Sequence, residues 1–112
     1  MVGELSAGAV VWAELGPGVG GEQSGRRPVV VVSSEYHVEL VERLVTVVAC
    51  TSRDRGWPNH VLLTGATGLG RATFAMTEQM RTIDRSRIVA TAGEIDDTCL
   101  AGIAMWLGDW LV

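Results

Sequence analysis

The chain has 112 residues, of which 47% are hydrophobic and 20% are charged. It is therefore too apolar for a disordered protein and too short for two ordinary domains, so we expect one domain over residues 1–112. A chain of this length can bury one hydrophobic core without disulfides. No segment has the character of a signal peptide or the length of a membrane span, so we expect a soluble protein that makes no membrane contact.

The two cysteines, Cys50 and Cys99, lack the spacing of metal ligands and are too few for a disulfide framework. They favour a reducing, cytoplasmic location. With only two histidines in the chain, a zinc site is not expected, and no feature of the sequence calls for a cofactor.

Charge is segregated along the chain, although the formal net charge is −4. All nine basic residues are arginines, and they lie between Arg26 and Arg87. The first 25 and the last 25 residues contain acidic residues but no basic ones. The acidic total argues against nucleic-acid binding, but the arginine-rich middle weakens that argument because arginine is well suited to bidentate phosphate contacts. An arginine-preferring genome would produce the same composition.

The hydrophobic pattern predicts short strands first and one helix last. A glycine-rich loop (16–27) follows the first strand, a loop or short helical turn is expected at 36–43, and residues 73–82 allow one or two strands. From Ile95 onward the apolar residues recur at helical spacing, with Asp96 or Asp97 as the cap. The predicted strand regions are 9–15, 28–33, 44–50, 60–63, 73–82 and 87–91.

Short connections favour antiparallel pairing over crossovers through helices. The expected fold is therefore mainly β: a small, partly closed antiparallel barrel with a C-terminal helix packed on it.

Two motifs do not indicate a function. Gly16, Gly18 and Gly21 match a dinucleotide-binding glycine pattern, but Pro28 and a valine run follow where that site requires a helix. His37 and His60 lie in unrelated segments, so a catalytic histidine pair is not expected and each is interpreted as structural.

The Arg26-Arg27-Pro28 junction is more informative. Proline restricts the residue before it to extended backbone, which would hold Arg27 rigidly beside the glycine-rich loop. If strands 28–33 and 44–50 are antiparallel neighbours, Arg27 lies near Thr51 and Ser52. A guanidinium beside hydroxyl groups suits a phosphate group; a solvated strand edge is the alternative.

The sequence resembles the MazF/PemK toxins, which are mRNA endoribonucleases of bacterial toxin–antitoxin systems. The resemblance extends over nearly the whole chain. It is carried by Gly-Ala-Val-Val-Trp-Ala-Glu-Leu at 8–15, Gly-Glu-Gln-Ser-Gly-Arg-Arg-Pro at 21–28, Val-Val-Ala-Cys-Thr-Ser at 47–52, Pro-Asn-His-Val at 58–61 and Glu-Gln-Met-Arg-Thr-Ile-Asp-Arg-Ser-Arg at 78–87. It implies a PemK-type, SH3-like barrel with a C-terminal helix.

The resemblance also implies roles for individual residues. Arg27 and Thr51 match the catalytic arginine and threonine of the family, and Glu22 is a candidate general base because it lies in the same loop as Arg27. Ala49-Cys50 replaces a proline-containing pair that is common before the threonine, and Thr73 stands where many members have serine. The positions that match RNA contacts of the family, or adjoin them, are Glu22, Ser52, Thr73, Glu78 and Gln79.

The family acts as a homodimer on single-stranded RNA and is neutralised by the C-terminal tail of a cognate antitoxin, so these are the partners the resemblance implies. Candidate residues for the dimer interface are the loop residues 16–25 and the tryptophans Trp57, Trp106 and Trp110; the alternative is that they are ordinary core or surface residues. The alternative function is that of a toxin of the same fold that binds DNA gyrase without nuclease activity. The nuclease is favoured because Arg27, Thr51 and Gln79 stand at the positions that match the motifs of the family.

Overall fold

The computed structural model describes residues 5–16, 25–33 and 43–110, which form six strands followed by one long helix. A short 3₁₀ turn, Arg85–Arg87, precedes the last strand, and helix α1 spans Asp97–Trp110. The strands are β1 (Ala9–Glu14), β2 (Arg26–Val31), β3 (Leu44–Thr51), β4 (His60–Leu62), β5 (Phe74–Asp84) and β6 (Ile88–Glu94). Each predicted strand region thus contains a strand, and the region that allowed one or two strands contains one.

Some predictions lie outside the described residues. They are the interior of the glycine-rich loop with Glu22, and the region 36–42 with His37. Within the described ranges, no helix is long and apolar enough to cross a bilayer.

All six strands belong to one antiparallel sheet in the order β4-β5-β3-β2-β1-β6. The pairing confirms the antiparallel arrangement and the C-terminal helix expected from the sequence. The sequence predicted a partly closed barrel, and the closure is indeed incomplete: the strand order is linear, and no hydrogen-bonded ladder joins β4 to β6 among the described residues.

An irregular segment bridges the gap between those two edge strands. The amides of Glu94 and Asp96, at the end of β6, donate to the carbonyls of Ala66 and Thr64, which follow β4. Positive φ angles at Gly65 and Gly68 prevent this segment from running as a strand. The sheet is therefore curled but not closed.

The curled sheet has a buried layer on each face, because successive side chains of a strand point to opposite sides. Val11, Val29 and Val47 belong to the first layer, which lies within the curl. Val10, Val30 and Val48 belong to the second layer, which α1 covers. Burial on both faces explains why β2 and β3 read as continuous apolar runs rather than as alternating ones.

Helix α1 packs through a stripe at positions i, i+4 and i+8, namely Cys99, Ile103 and Leu107. Of the two predicted caps, Asp96 is the one that acts: its Oδ1 accepts a hydrogen bond from the amide of Cys99, 2.8 Å away. This bond lowers the pKa of the Asp96 carboxyl, with a further contribution from the Thr64 side chain.

Candidate active site

The antiparallel pairing of β2 with β3 brings Arg27 and Thr51 together. The observed register pairs Val29 with Ala49 and Val30 with Val48. Continued by two residues, it sets Arg27 opposite Thr51, as the sequence predicted. Because side chains two residues apart on a strand point to the same side, both lie on the face of the sheet that carries Val29 and Ala49.

A cavity of about 270 Å³ opens at this end of the sheet, where β2 begins and β3 ends. It takes residues from both faces of the sheet and from the segment that bridges β4 and β6. The residues lining it are Trp12, Arg26, Arg27, Pro28, Cys50, Thr51, Ser52, Leu69, Gly70, Arg71 and Thr73. Four of the sequence-predicted site residues, Arg27, Thr51, Ser52 and Thr73, therefore share one cavity.

The hydroxyl groups in this cavity differ in their exposure and partners. Thr51 is buried, and its Oγ1 accepts a hydrogen bond from the amide of Arg53 at 3.1 Å. Because Oγ1 is the acceptor there, its own hydrogen can be donated to a ligand oxygen. Thr73 is also buried and donates to the carbonyl of Arg71 at 3.0 Å, whereas Ser52 is exposed.

Positive charge dominates the cavity. Arg26, Arg27 and Arg71 line it, and no acidic residue does so among the described residues. Arg26 has a distant carboxylate partner, since its Nε lies 3.9 Å from Oε2 of Glu14. Sequence reasoning missed Arg26 and Arg71 as lining residues. The nearest signal is the run Thr-Gly-Ala-Thr-Gly-Leu-Gly at 64–70, which precedes Arg71 and is typical of a loop.

The thiol beside Thr51 is not a candidate nucleophile. Cys50 is fully buried, and this burial raises the pKa of its thiol well above the usual range, so the reactive thiolate is absent at neutral pH. Within the described ranges, no three His, Cys, Asp or Glu side chains come together in an arrangement that could hold a metal ion.

Glu78 and Gln79, the two remaining predicted site residues within the described ranges, do not line this cavity. They lie where β5 changes its register against β3: Cys50 pairs with Ala75, but Val48 pairs with Met80. Three extra residues of β5 therefore bulge out opposite Ala49, and such a bulge redirects side chains that would otherwise alternate.

Asn59 and His60 hold the Glu78 carboxylate. The Nδ2 of Asn59 donates to its Oε1 at 2.8 Å, and the Nε2 of His60 lies 3.0 Å from Oε1 and 3.1 Å from Oε2. Trp57 packs against His60 with ring centroids 4.8 Å apart, and the guanidinium of Arg55 lies over the Trp57 ring. His60 therefore contacts a carboxylate of β5, a partner that the sequence did not predict.

Comparison with known proteins agrees with this architecture. Residues 6–111 match the family model described as "PemK-like, MazF-like toxin of type II toxin-antitoxin system". The chain is 32% identical over 95 residues to the endoribonuclease EndoA of Bacillus subtilis, a match that covers 83% of this chain and 82% of EndoA.

Solved structures of MazF share the fold. A crystal structure of MazF from Deinococcus radiodurans superposes with a TM-score of 0.83 at 31% identity, over 96% of each chain. A MazE–MazF structure from the same organism gives a TM-score of 0.76 at 31% identity, over 96% of this chain and 95% of the other. On the extent of the family match and the identity to EndoA, the chain belongs to the PemK-like, MazF-like toxins of type II toxin–antitoxin systems.

Proposed function

We propose that the protein is an endoribonuclease toxin that cuts single-stranded RNA at selected sequences without a metal ion. The observation that carries the proposal is the cavity shared by Arg27, Thr51 and Ser52 at the meeting ends of β2 and β3. The relatives' names support it, since EndoA is named an endoribonuclease. No corresponding observation favours the gyrase-binding alternative.

In the proposed reaction, RNA supplies its own nucleophile. The 2′-hydroxyl oxygen attacks the adjacent phosphorus, the bond from phosphorus to the 5′ oxygen breaks, and the products carry a 2′,3′-cyclic phosphate and a 5′-hydroxyl. The proton lost by the 2′-hydroxyl goes to a base, for which Glu22 is the candidate, and the departing 5′ oxygen takes a proton from the solvent.

Arg27 and Thr51 would act on the phosphate. Negative charge grows on the non-bridging oxygens as the 2′ oxygen attacks, and donors preorganised around those oxygens lower the barrier. The guanidinium of Arg27 offers several N–H donors in a fixed plane, and the Thr51 hydroxyl offers one more. Arginine stays protonated at all working pH values, so Arg27 acts as a donor rather than as the base.

Partners follow from the same proposal. Ser52, Thr73, Glu78 and Gln79 would contact the RNA, and a cognate antitoxin would cover this surface with its C-terminal tail. The solved MazE–MazF complex supports a protein antitoxin as partner. We further propose that the protein acts in the cytoplasm as a homodimer; sedimentation as a monomer at micromolar concentration would contradict the dimer.

The decisive experiment is to incubate the purified protein with a long single-stranded RNA in excess EDTA and to map the new ends. The expected result is a small set of discrete cuts that leave 5′-hydroxyl ends. Cutting only after Mg²⁺ is added would contradict the metal-independent mechanism. If RNA is neither cut nor bound, the alternative becomes the better explanation, and inhibition of DNA supercoiling by gyrase would then be measured.

A further inference from the structure

His60 is a buried titratable side chain that the proposed reaction does not use. Its side chain is 2% exposed, and it opens β4, opposite Met76 of β5. The Nε2 atom lies within 3.1 Å of both carboxylate oxygens of Glu78. Because an ionised carboxylate can only accept hydrogen bonds, Nε2 carries the hydrogen and donates it to Glu78.

The Glu78 carboxylate is held on one side and open on the other. Its side chain is 24% exposed, and its oxygens have room for about four hydrogen bonds in all. Among the described residues, Oε1 accepts from Asn59 and His60, whereas Oε2 accepts from His60 alone. The remaining capacity of Oε2 suits a single N–H donor, such as the exocyclic amine of adenine or cytosine.

Asn59 is itself fixed, which makes the arrangement rigid. Its amide nitrogen also lies 3.3 Å from Oγ1 of Thr77, and that hydroxyl donates to the carbonyl of Asn59 at 2.9 Å. Asn59, just before β4, and Thr77 of β5 therefore hydrogen-bond to each other, and Thr77 lies in the same bulge as Glu78. The carboxylate is consequently held by two side chains that have little freedom to move, and its other side stays open.

The histidine is costly as a purely structural residue. The other ring nitrogen, Nδ1, is buried and has no hydrogen-bond partner among the described residues. An unsatisfied buried polar atom destabilises the folded state, so an apolar side chain of similar size would serve packing better. The benefit of His60 therefore lies in what Nε2 does for Glu78.

We infer that His60 is a positioning residue, which orients Glu78 so that Oε2 accepts an N–H donor of an RNA base. This inference rests on the proposed function, because it takes Glu78 as an RNA contact. Glu78 does not line the cavity that holds Arg27 and Thr51. Loss of His60 should therefore weaken RNA binding and leave the chemical step largely intact.

Two variants test the inference on an oligonucleotide that spans a mapped cleavage site. In His60→Leu, kcat/KM should fall about tenfold through a rise in KM, since a charge-assisted hydrogen bond is lost. The melting temperature should stay equal or rise, because the unsatisfied Nδ1 is removed. His60→Gln should recover most of the loss, since its amide can donate to Glu78, and Leu62→Ala, exposed on the same strand, serves as the matched control.

A double-mutant cycle with Glu78→Ala separates positioning from a general effect on the fold. If His60 acts through Glu78, adding His60→Leu to Glu78→Ala should change kcat/KM by less than twofold. A full tenfold loss in that background would overturn the inference. So would wild-type kinetics in His60→Leu, or a loss of activity that tracks a lower melting temperature. A wild-type protein that neither cuts nor binds RNA would instead overturn the proposed function, and the inference with it.

Discussion

Arg27 precedes Pro28 at the start of strand β2, and this position restricts its backbone before any ligand arrives. We expect Arg27→Ala to lower the rate of RNA cleavage at least about 100-fold, since one preorganised donor to a developing oxyanion contributes on that scale. Arg27→Lys should recover only part of the rate, because an ammonium group lacks the planar fork of the guanidinium. The measurement is single-turnover cleavage of an RNA that contains one mapped site.

Arg43→Ala is the matched control for Arg27→Ala. It removes the same charge from the opposite end of β3, where its side chain is 87% exposed and pairs with Asp84. Arg43 does not line the cavity, and the loss of an exposed ion pair should hardly change the stability of the fold. The cleavage rate of this variant should therefore stay within about twofold of the wild type. Equal losses in both variants would mean that net charge, rather than the position of Arg27, controls the rate.

The Asp96 cap makes part of the stability depend on pH. The pKa of Asp96 is lowered in the folded state, so between the folded and unfolded values the folded protein binds fewer protons. The cap therefore contributes fully above the unfolded value of about 4 and is lost as pH falls through the folded value below it. Asn also caps helices but does not titrate in this range.

Urea unfolding of the wild type and of Asp96→Asn at pH 7 and at pH 3 tests this. We expect the wild type to lose more stability than the variant between the two pH values, since only in the wild type does residue 96 take up a proton more readily in the unfolded state. The same pH dependence in both proteins would show that the carboxylate of Asp96 contributes nothing as a charged cap.

At the scale of elements, the segment between β4 and β5 packs its backbone closely against β6. Gly68 has a φ of +72°, and a Cβ at this position would overlap the backbone of Ala92 in β6. Gly68→Ala should therefore lower the free energy of unfolding by about 1–3 kcal/mol. Since Leu69 to Arg71 line the cavity, RNA binding should weaken as well.

Gly70→Ala provides the control from the same segment. A Cβ at Gly70 meets no atom within 4 Å, so this variant should change stability by less than about 0.5 kcal/mol. Thermal and urea unfolding of both variants make the comparison. Equal effects at the two positions would contradict a specific contact between Gly68 and β6.

These elements also show what the sequence could and could not predict. The strands β2 and β3 were predictable because both faces are buried, which leaves runs of valine in the sequence. The proximity of Arg27 to Thr51 followed from antiparallel pairing alone. The bulge at Glu78 and its clamp by Asn59 and His60 could not be predicted, because a register shift inside one strand leaves no periodic signal.

For the whole molecule, some of the arginines from the middle of the chain come together in space. Three of the nine arginines line one cavity, although the formal net charge is −4. A local positive site attracts a polyanion over short distances, whereas the acidic remainder of the protein repels it. Because salt screens this attraction, added salt should weaken binding of RNA at the site. The acidic ends of the chain would then limit nonspecific binding of RNA.

The steepness of that salt effect reports how many phosphates the site contacts. Each phosphate neutralised on a single strand contributes about −0.7 to the slope of log K against log salt concentration, so three arginines predict a slope of about −2. Arg27→Ala should reduce the slope by about 0.7, and Arg43→Ala should leave it unchanged. Fluorescence anisotropy with a 2′-deoxy-substituted oligonucleotide, which cannot be cut, measures binding alone. A slope near zero would mean that the arginines of the cavity do not contact the RNA backbone, and that binding depends on the bases instead.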